Sequence, residues 1–288
     1  MKPSAIPVLA VLGNLVVAVA ALGQFSGFRT RGPSVGPNGN PLDRGDVPTW
    51  PLDEKFALDT FTFARLRYTS SRREQSSFAW WTDYADADLN LSFRIQQITS
   101  IKVNPEPMVV EITDPKLFNY PWVFMSGAGN IALTDYEAER LRTYLLSGGF
   151  LMVDDFWGQA EWDGVAQALK QVLPEFEPVD VPRNHPIFHG VYDLPDDLSL
   201  QTCNIRSAIA NKDTGITWED NHAGGNTREI HFRAIYDHRQ RMMVFLCHNT
   251  DNGDGWEEES SDPWFFHTFS EQRDFPLAIN ILFYAMTH

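Results

Sequence analysis

Cysteine and positive charge are both scarce in this 288-residue sequence. Its two cysteines, Cys203 and Cys247, are too few for a disulfide framework, and the sequence leaves one bridge and two buried thiols as alternatives. Acidic residues outnumber basic ones by 38 to 23, which gives a formal net charge of -15. The basic residues form no cluster larger than the pair Arg72 and Arg73. Nucleic acid is therefore not an expected partner, because such a surface repels its phosphates.

Long hydrophobic runs are absent after the first 23 residues. Lys2 precedes an apolar run over residues 6–22, and Ala21 and Gly23 provide the small side chains that a signal peptidase recognises. The run is at the short end of the ~20 residues that a membrane-spanning helix needs. We therefore expect residues 1–23 to be a cleaved signal peptide, with an N-terminal anchor as the alternative. The expected location is periplasmic or secreted, or the inner membrane if the segment is retained.

The remaining chain divides into a short arm and one domain. Residues 24–55 are rich in Gly and Pro and have no apolar periodicity, so they are predicted to form an arm or linker. Hydrophobic residues make up 43% of the chain, enough for a sizeable core in residues 56–288.

Hydrophobic periodicity predicts alternating strands and helices in this domain. The alternation of Phe61–Tyr68 is typical of a strand, and residues 88–99 fit a helix capped by Asp88, although part of that stretch also fits a strand. Thr134 and Glu137 have the spacing of a helix capping box. Further predicted elements are strands at 108–112, 122–125 and 150–153, a helix at 161–172, paired strands at 229–236 and 241–248, an acidic and aromatic loop at 249–274 and a helix at 276–286.

Several separated motifs support a family resemblance. The segment LTDYEAERLRTYLLSGGFLMVDD resembles the helix and strand that lead to the nucleophile elbow of the class I glutamine amidotransferase-like superfamily. The wider set FTFARLRY, WWTDYADADLNLSFRIQQIT, FMSGAGN, GGFLMVDDFWG, NHPIFHGVYDL and NTDNGDGWE resembles the bacterial domain of unknown function 4159 family. This resemblance implies a flavodoxin-like α/β three-layer sandwich with a mainly parallel sheet and a late β-hairpin.

The chain departs from the catalytic amidotransferases at the elbow. Those enzymes place a cysteine nucleophile where this predicted strand ends, whereas here the position is taken by Asp154 and Asp155. Neither Cys203 nor Cys247 falls there, so glutaminase activity is not expected.

The adjacent carboxylates Asp154 and Asp155 are the leading candidates for a site. Two carboxylates at a strand end repel each other unless a proton, a donor or a cation intervenes. One alternative is structural, with Asp155 capping the next turn and Asp154 accepting hydrogen bonds from backbone amides. The others are a ligand site, or a divalent-metal or catalytic site formed by Asp154, Asp155 and His185. The candidate ligand-binding residues are Asp83, Asp154, Asp155, Trp157, His185, His189, Asn249 and Asp251.

The remaining motifs are less specific. Residues 249–257 superficially resemble a calcium loop, but the donor pattern of an EF-hand is not met and an acidic turn is favoured. Clustered tryptophans would suit a sugar if they rimmed one cleft, although packing is the default role. Tryptophans near the predicted site are Trp80, Trp81, Trp157, Trp162, Trp256 and Trp264.

Two hypotheses of function follow. The first is an exported, non-catalytic module that binds a small-molecule or carbohydrate ligand, or a protein partner in the cell envelope. The second is a hydrolase, metal-assisted and acting on carbohydrate, that uses Asp154 or Asp155 with His185 nearby. No organic cofactor is predicted, and a divalent metal remains an alternative.

Overall fold

The computed structural model describes residues 44–52, 55, 59–70, 80–222 and 224–288. The predicted signal peptide, residues 1–23, and most of the predicted arm lie outside this part of the chain. Within the described part, no helix combines the length and the apolar character needed to cross a membrane.

A seven-stranded sheet forms the centre of the domain. Its strands are β1 (Ala64–Arg67), β2 (Met108–Glu111), β3 (Trp122–Ser126), β4 (Phe150–Phe156), β5 (Val179–Asp180), β6 (His231–Tyr236) and β7 (Met242–His248). The spatial order is β2-β1-β3-β4-β7-β6-β5, in which the first five strands are parallel and β6 runs antiparallel to both neighbours. The predicted α/β class, the mainly parallel sheet and the late hairpin β6–β7 are confirmed.

Helices cover both faces of the sheet. They are α1 (Asp86–Ile98), α2 (Asp135–Leu146), α3 (Gly158–Val172), α4 (Ile205–Ala210), α5 (Asn252–Glu257), α6 (Pro263–Phe265), a π-helix (Phe266–Asp274) and α7 (Phe275–Thr287). Short 3-10 turns occupy Pro115–Asn119, Ala128–Asn130 and Pro186–Phe188.

Alternation along each strand produces two hydrophobic cores. On β3, Trp122 and Phe124 pack with α1 and α7, while Val123 and Met125 pack with α2 and α3 on the other face. Strands buried on both faces carry continuous apolar sequence, as β3 and β7 do. The arrangement is consistent with a three-layer sandwich.

Helix α2 begins and ends where local signals predict. Thr134 Oγ1 accepts a hydrogen bond from the Glu137 backbone N–H (3.2 Å), and the Thr134 N–H donates to Glu137 Oε2 (2.8 Å), which completes the capping box. At the other end Gly148 has φ 113°, a conformation that favours glycine. The chain then enters β4 at Phe150.

Three sequence predictions need correction. Strand β4 continues through Asp154 and Asp155 to Phe156 instead of stopping at residue 153. Helix α1 begins at Asp86, and its N-cap is Ala85, which has no side chain that could cap it; Asp88 lies inside the helix and forms an ion pair with Arg65. The predicted loop at 249–274 is largely helical.

The two cysteines are buried and free. Cys247 packs in the core that contains α1 and α7, whereas Cys203 belongs to a separate cluster with Trp157 and Phe265. The alternative of two buried thiols therefore holds.

Candidate functional site

Side chains from three segments meet at the carboxyl ends of the central parallel strands. Asp83 lies in the connection between β1 and α1, Asp155 lies near the end of β4, and Asp251 follows β7. Parallel strands direct their carboxyl ends to one edge of the sheet, where open α/β folds bind ligands. Three of the residues singled out from sequence are thus brought together.

Asp83, Asp155 and Asp251 each direct one carboxylate oxygen into a common volume. These three oxygens lie within 4.8 Å of one another, although the residues are only 8%, 4% and 4% exposed. Asp83 also belongs to a second trio, with Asp254 and Glu257, that meets the same limit. We call these five residues the acidic cluster.

The backbone is shaped to direct these carboxylates. Asp83 has φ 63° and Asp155 has φ 52°, in the left-handed region that Asp and Asn tolerate better than most residues. The pairing of β4 with β7 is irregular between Val153 and Phe156, and such bulges redirect side chains at the ends of strands. The Asp155 N–H still donates to the Thr250 carbonyl (3.2 Å), so the turn is fixed.

Asp154 has a structural role that differs from that of its neighbour. Its carboxylate accepts hydrogen bonds from Asn252 Nδ2 (2.6 Å) and from the Gly253 N–H (2.9 Å) at the start of α5. Burial nevertheless raises the pKa of Asp154 to about 7. These contacts agree with the structural alternative for Asp154, in which its carboxylate accepts hydrogen bonds from the backbone.

Asp155 does not cap the following helix. Trp157 is the N-cap of α3, which has no side-chain cap, and Asp155 Oδ1 instead accepts a hydrogen bond from Trp157 Nε1 (3.0 Å). The structural alternative therefore fails for Asp155.

Two glycines allow α5 to approach the carboxylates. A Cβ atom on Gly253 would lie 2.1 Å from Asp83 Oδ2, and one on Gly255 would lie 1.9 Å from Asp274 Oδ2. Either contact is far inside van der Waals distance. Glycine is therefore required at both positions for this helix to pack here.

Burial makes the acidic cluster hold protons or attract a cation. It raises the pKa of Asp83, Asp155, Asp251 and Asp254 well above the ordinary range, and the neighbouring carboxylates add to the shift. Burial likewise raises the pKa of Glu257, to about 7. Several negative charges cannot coexist in this volume without compensation.

The buried guanidinium of Arg65 is already committed to another carboxylate. Arg65 Nε lies 3.0 and 3.1 Å from the two oxygens of Asp88. Its Nη1 donates to the carbonyls of Thr82 (2.7 Å) and Trp80 (3.2 Å), which fixes the segment just before Asp83. Arg65 therefore holds the segment before Asp83 in place, while its charge is paired mainly with Asp88.

Most of the chain matches the model of a known protein family. A family model described as Domain of unknown function (DUF4159) matches residues 62–286. The chain belongs to this family. The matched stretch contains the whole sheet and the acidic cluster. No curated protein matches the chain.

A second set of buried polar residues lies beside the acidic cluster of the DUF4159 domain, and the sequence did not predict it. His222 Nδ1 lies 2.9 Å from Glu161 Oε1, and His222 Nε2 lies 3.1 Å from Glu219 Oε2. No local signal marks these residues, because Glu161 lies in the first turn of α3 and the other two in an irregular connection. Asp254 and Glu257 were missed because residues 252–257 were not predicted to be helical.

The two predicted histidines lie elsewhere in the DUF4159 domain. His185 Nδ1 accepts the Ile187 N–H (3.2 Å), and its ring contacts Tyr236, which pairs with Met242 at the first residue of β7. That position is the opposite edge of the sheet, so His185 is not near the aspartates. His189 contacts Asp193 Oδ1 (2.5 Å) and the Arg183 carbonyl (2.7 Å).

Asn249 and the tryptophans mainly have packing roles. Asn249 Oδ1 accepts the Gly158 N–H (2.7 Å), and its Nδ2 donates to the Asn226 and Glu229 carbonyls. Trp256, Trp162 and Trp264 belong to three different hydrophobic clusters. They do not form one aromatic rim.

Proposed function

We propose that this DUF4159 domain is a non-catalytic binding module that holds a divalent cation, Ca²⁺ or Mg²⁺, between Asp83, Asp155 and Asp251. Three carboxylate oxygens would fill only part of the about six to eight positions that such an ion takes, so water or an oxygen-containing ligand would complete its coordination. The observation that carries the proposal is the convergence of three carboxylate oxygens within 4.8 Å in a buried position. Hard cations prefer such all-oxygen sites.

The charge balance around the acidic cluster favours a cation over a permanent set of protons. Arg65, a buried cation whose charge counteracts the raised pKa of Asp83 and of Glu257, forms a bidentate pair with Asp88. A divalent ion would offset two negative charges at once and would reduce the repulsion that adds to the effect of burial on their pKa.

The order of the parallel strands supports a relationship to the amidotransferase-like superfamily. Numbered along the chain, the five parallel strands follow the order 2-1-3-4-5, which is that of flavodoxin-like folds. In this strand order Asp155 lies near the end of the fourth parallel strand, the position at which the superfamily carries its nucleophile. We therefore propose that this domain carries a cation ligand, Asp155, where the superfamily carries its cysteine.

A periplasmic or secreted location forms part of the same proposal. It rests on the sequence of residues 1–23. Calcium sites of extracellular modules have dissociation constants of about 10⁻⁴–10⁻³ M. We expect this range if the ion is Ca²⁺.

Calorimetric titration of the chelator-treated protein with CaCl₂ and MgCl₂ tests the proposal. The informative variants are Asp83→Asn and Asp155→Asn, because asparagine is isosteric and also tolerates positive φ. Asp213→Asn, at an exposed turn after α4, is the matched control.

The expected result combines lost binding with gained stability. The wild type and Asp213→Asn bind one of the two cations, and Asp83→Asn and Asp155→Asn do not. In chelator, Asp155→Asn is more stable than the wild type by about 1–2 kcal/mol and unfolds at a higher temperature, because the buried carboxyl, whose pKa is raised, no longer has to take up a proton on folding. If the wild type bound neither ion, or if both Asn variants bound normally, the proposal would be wrong.

A metal-assisted hydrolase is the second candidate function. The left-handed conformation of Asp155 at a bulged strand end favours it, because strained backbone is concentrated at reactive sites. Chromogenic ester and glycoside substrates, assayed with Mg²⁺ and with chelator, test it. Metal-dependent turnover that disappears in Asp155→Asn would support a hydrolase, and turnover retained in that variant would exclude this site.

A further inference from the structure

His222 is buried between two carboxylates from different parts of the chain. Its Nδ1 faces Glu161 Oε1 at 2.9 Å, and its Nε2 faces Glu219 Oε2 at 3.1 Å. The side chain of His222 is 2% exposed, while those of Glu161 and Glu219 are 9% and 6% exposed. A ring that donates to both carboxylates carries a proton on each nitrogen. The two contacts therefore fit an imidazolium.

The charge of this ring is stabilised locally. Burial alone lowers the pKa of His222, but the hydrogen bonds to Glu161 and Glu219 outweigh burial and raise the pKa to about 9. The ring is thus charged at neutral pH.

Both carboxylates that hold His222 are themselves fixed to the backbone. Glu161 Oε2 accepts the Trp157 N–H (2.8 Å), and Glu219 Oε1 accepts the N–H (2.8 Å) and Nδ2 (2.6 Å) of Asn204. His222 therefore connects the first turn of α3 to the residue that caps α4.

The imidazolium reaches the acidic cluster through Trp157. The His222 ring stacks on the Trp157 indole, with centroids 5.7 Å apart and an interplanar angle of 27°. The indole N–H in turn donates to Asp155 Oδ1 (3.0 Å). One oxygen of Asp155 is thereby committed, which determines where the other oxygen can point.

We propose that His222, held between Glu161 and Glu219, is a positioning residue for the cation site and acts by fixing the Trp157 indole that orients the Asp155 carboxylate. This inference rests on the proposed cation site. It adds that cation affinity depends on a side chain that does not touch the ion. Groups that hydrogen-bond to a metal ligand, as the Trp157 indole does to Asp155, change metal affinity by about 10–100-fold when they are removed.

The test compares His222→Gln with the exposed-histidine control His267→Gln. His267 also contacts a carboxylate, Glu271, but lies on the surface of the π-helix. Calorimetry gives the affinity for CaCl₂ and MgCl₂, and the indole N–H resonances of ¹⁵N-labelled protein report on Trp157. Trp157→Phe identifies its resonance among the nine tryptophans by its disappearance.

The expected result is a coupled change in affinity and spectrum. In the wild type the Trp157 indole resonance shifts when the cation binds. In His222→Gln that resonance is displaced before any cation is added, and affinity falls about 10-fold or more. His267→Gln behaves as the wild type.

An unchanged Trp157 resonance and wild-type affinity in His222→Gln would overturn the inference, even if the variant were less stable. If His222→Gln does not fold, Glu219→Gln is tested in its place, because the amide oxygen at position 219 can still accept the hydrogen bonds from Asn204. The same displacement and weaker affinity are expected there, and their absence overturns the inference. Wild-type protein that binds no cation would instead defeat the proposed function, and this inference with it.

Discussion

Two sets of buried charged residues lie next to each other near the start of α1, and they differ in net charge. Arg65 and Asp88 form a closed pair in which the guanidinium also binds two carbonyls. The acidic cluster beside it brings Asp83, Asp155 and Asp251 together, and no arginine in the described part of the chain forms an ion pair with any of the three. A neutralised buried pair holds the fold in one arrangement, whereas an excess of buried negative charge is a cost to folding that a ligand can relieve.

The largest expected effect comes from breaking the balanced pair. Arg65→Met leaves Asp88 buried without a partner and frees the carbonyls of Trp80 and Thr82, so we expect a loss of about 3–5 kcal/mol of unfolding free energy in urea. Arg67→Met is the control on the same strand, because Arg67 pairs with Glu111 at 3.6 Å in an exposed position. That variant should lose less than about 1 kcal/mol. Equal losses would remove the distinction between the two arginines.

The sequence predicts those parts of the fold that have local causes. The capping box of α2 and the apolar run of β4 are complete within a few residues, and both are found where expected. Asp155 was predicted as a site residue because it follows an apolar strand. Such signals depend on neighbours in sequence and not on tertiary packing.

Helix α5 could not be predicted in the same way. Its sequence NGDGWE contains two glycines, which oppose helix formation. Tertiary contacts reverse this preference, because the Asp83 and Asp274 carboxylates occupy the space that side chains at Gly253 and Gly255 would need. The carboxylates of Asp254 and Glu257 join the acidic cluster through this helix, so both were missed together.

Stability of the metal-free protein should fall as the pH rises from about 5 to about 8. Burial raises the pKa of Asp154 and Glu257 to about 7 in the folded state, whereas unfolded carboxyls titrate near 4. Between these values the folded state binds more protons than the unfolded state, so each increase in pH favours unfolding. His222 acts in the same direction, since its pKa of about 9 exceeds the unfolded value near 6.5.

Thermal unfolding in chelator, repeated with a saturating divalent cation, measures this dependence. Each kcal/mol corresponds to about 2–4 °C for a domain of this size, so a decrease of several degrees is expected across the range. The cation should reduce the decrease, because it replaces protons in the acidic cluster. A metal-free midpoint that rises with pH would contradict the assignment of raised carboxyl pKa values.

The smallest effect is expected from Glu257→Gln, and it decides which trio holds the ion. Glu257 is partly exposed and shares with the proposed ligands only Asp83, through the second trio. If the ion lies between Asp83, Asp155 and Asp251, loss of this charge acts at a distance and lowers affinity by about threefold or less. If it lies between Asp83, Asp254 and Glu257, binding is lost in Glu257→Gln and retained in Asp155→Asn. Calorimetry on Glu257→Gln and Asp155→Asn separates the two positions, because each position predicts that a different one of these variants loses the ion. Glu258→Gln is the control for the loss of a neighbouring charge.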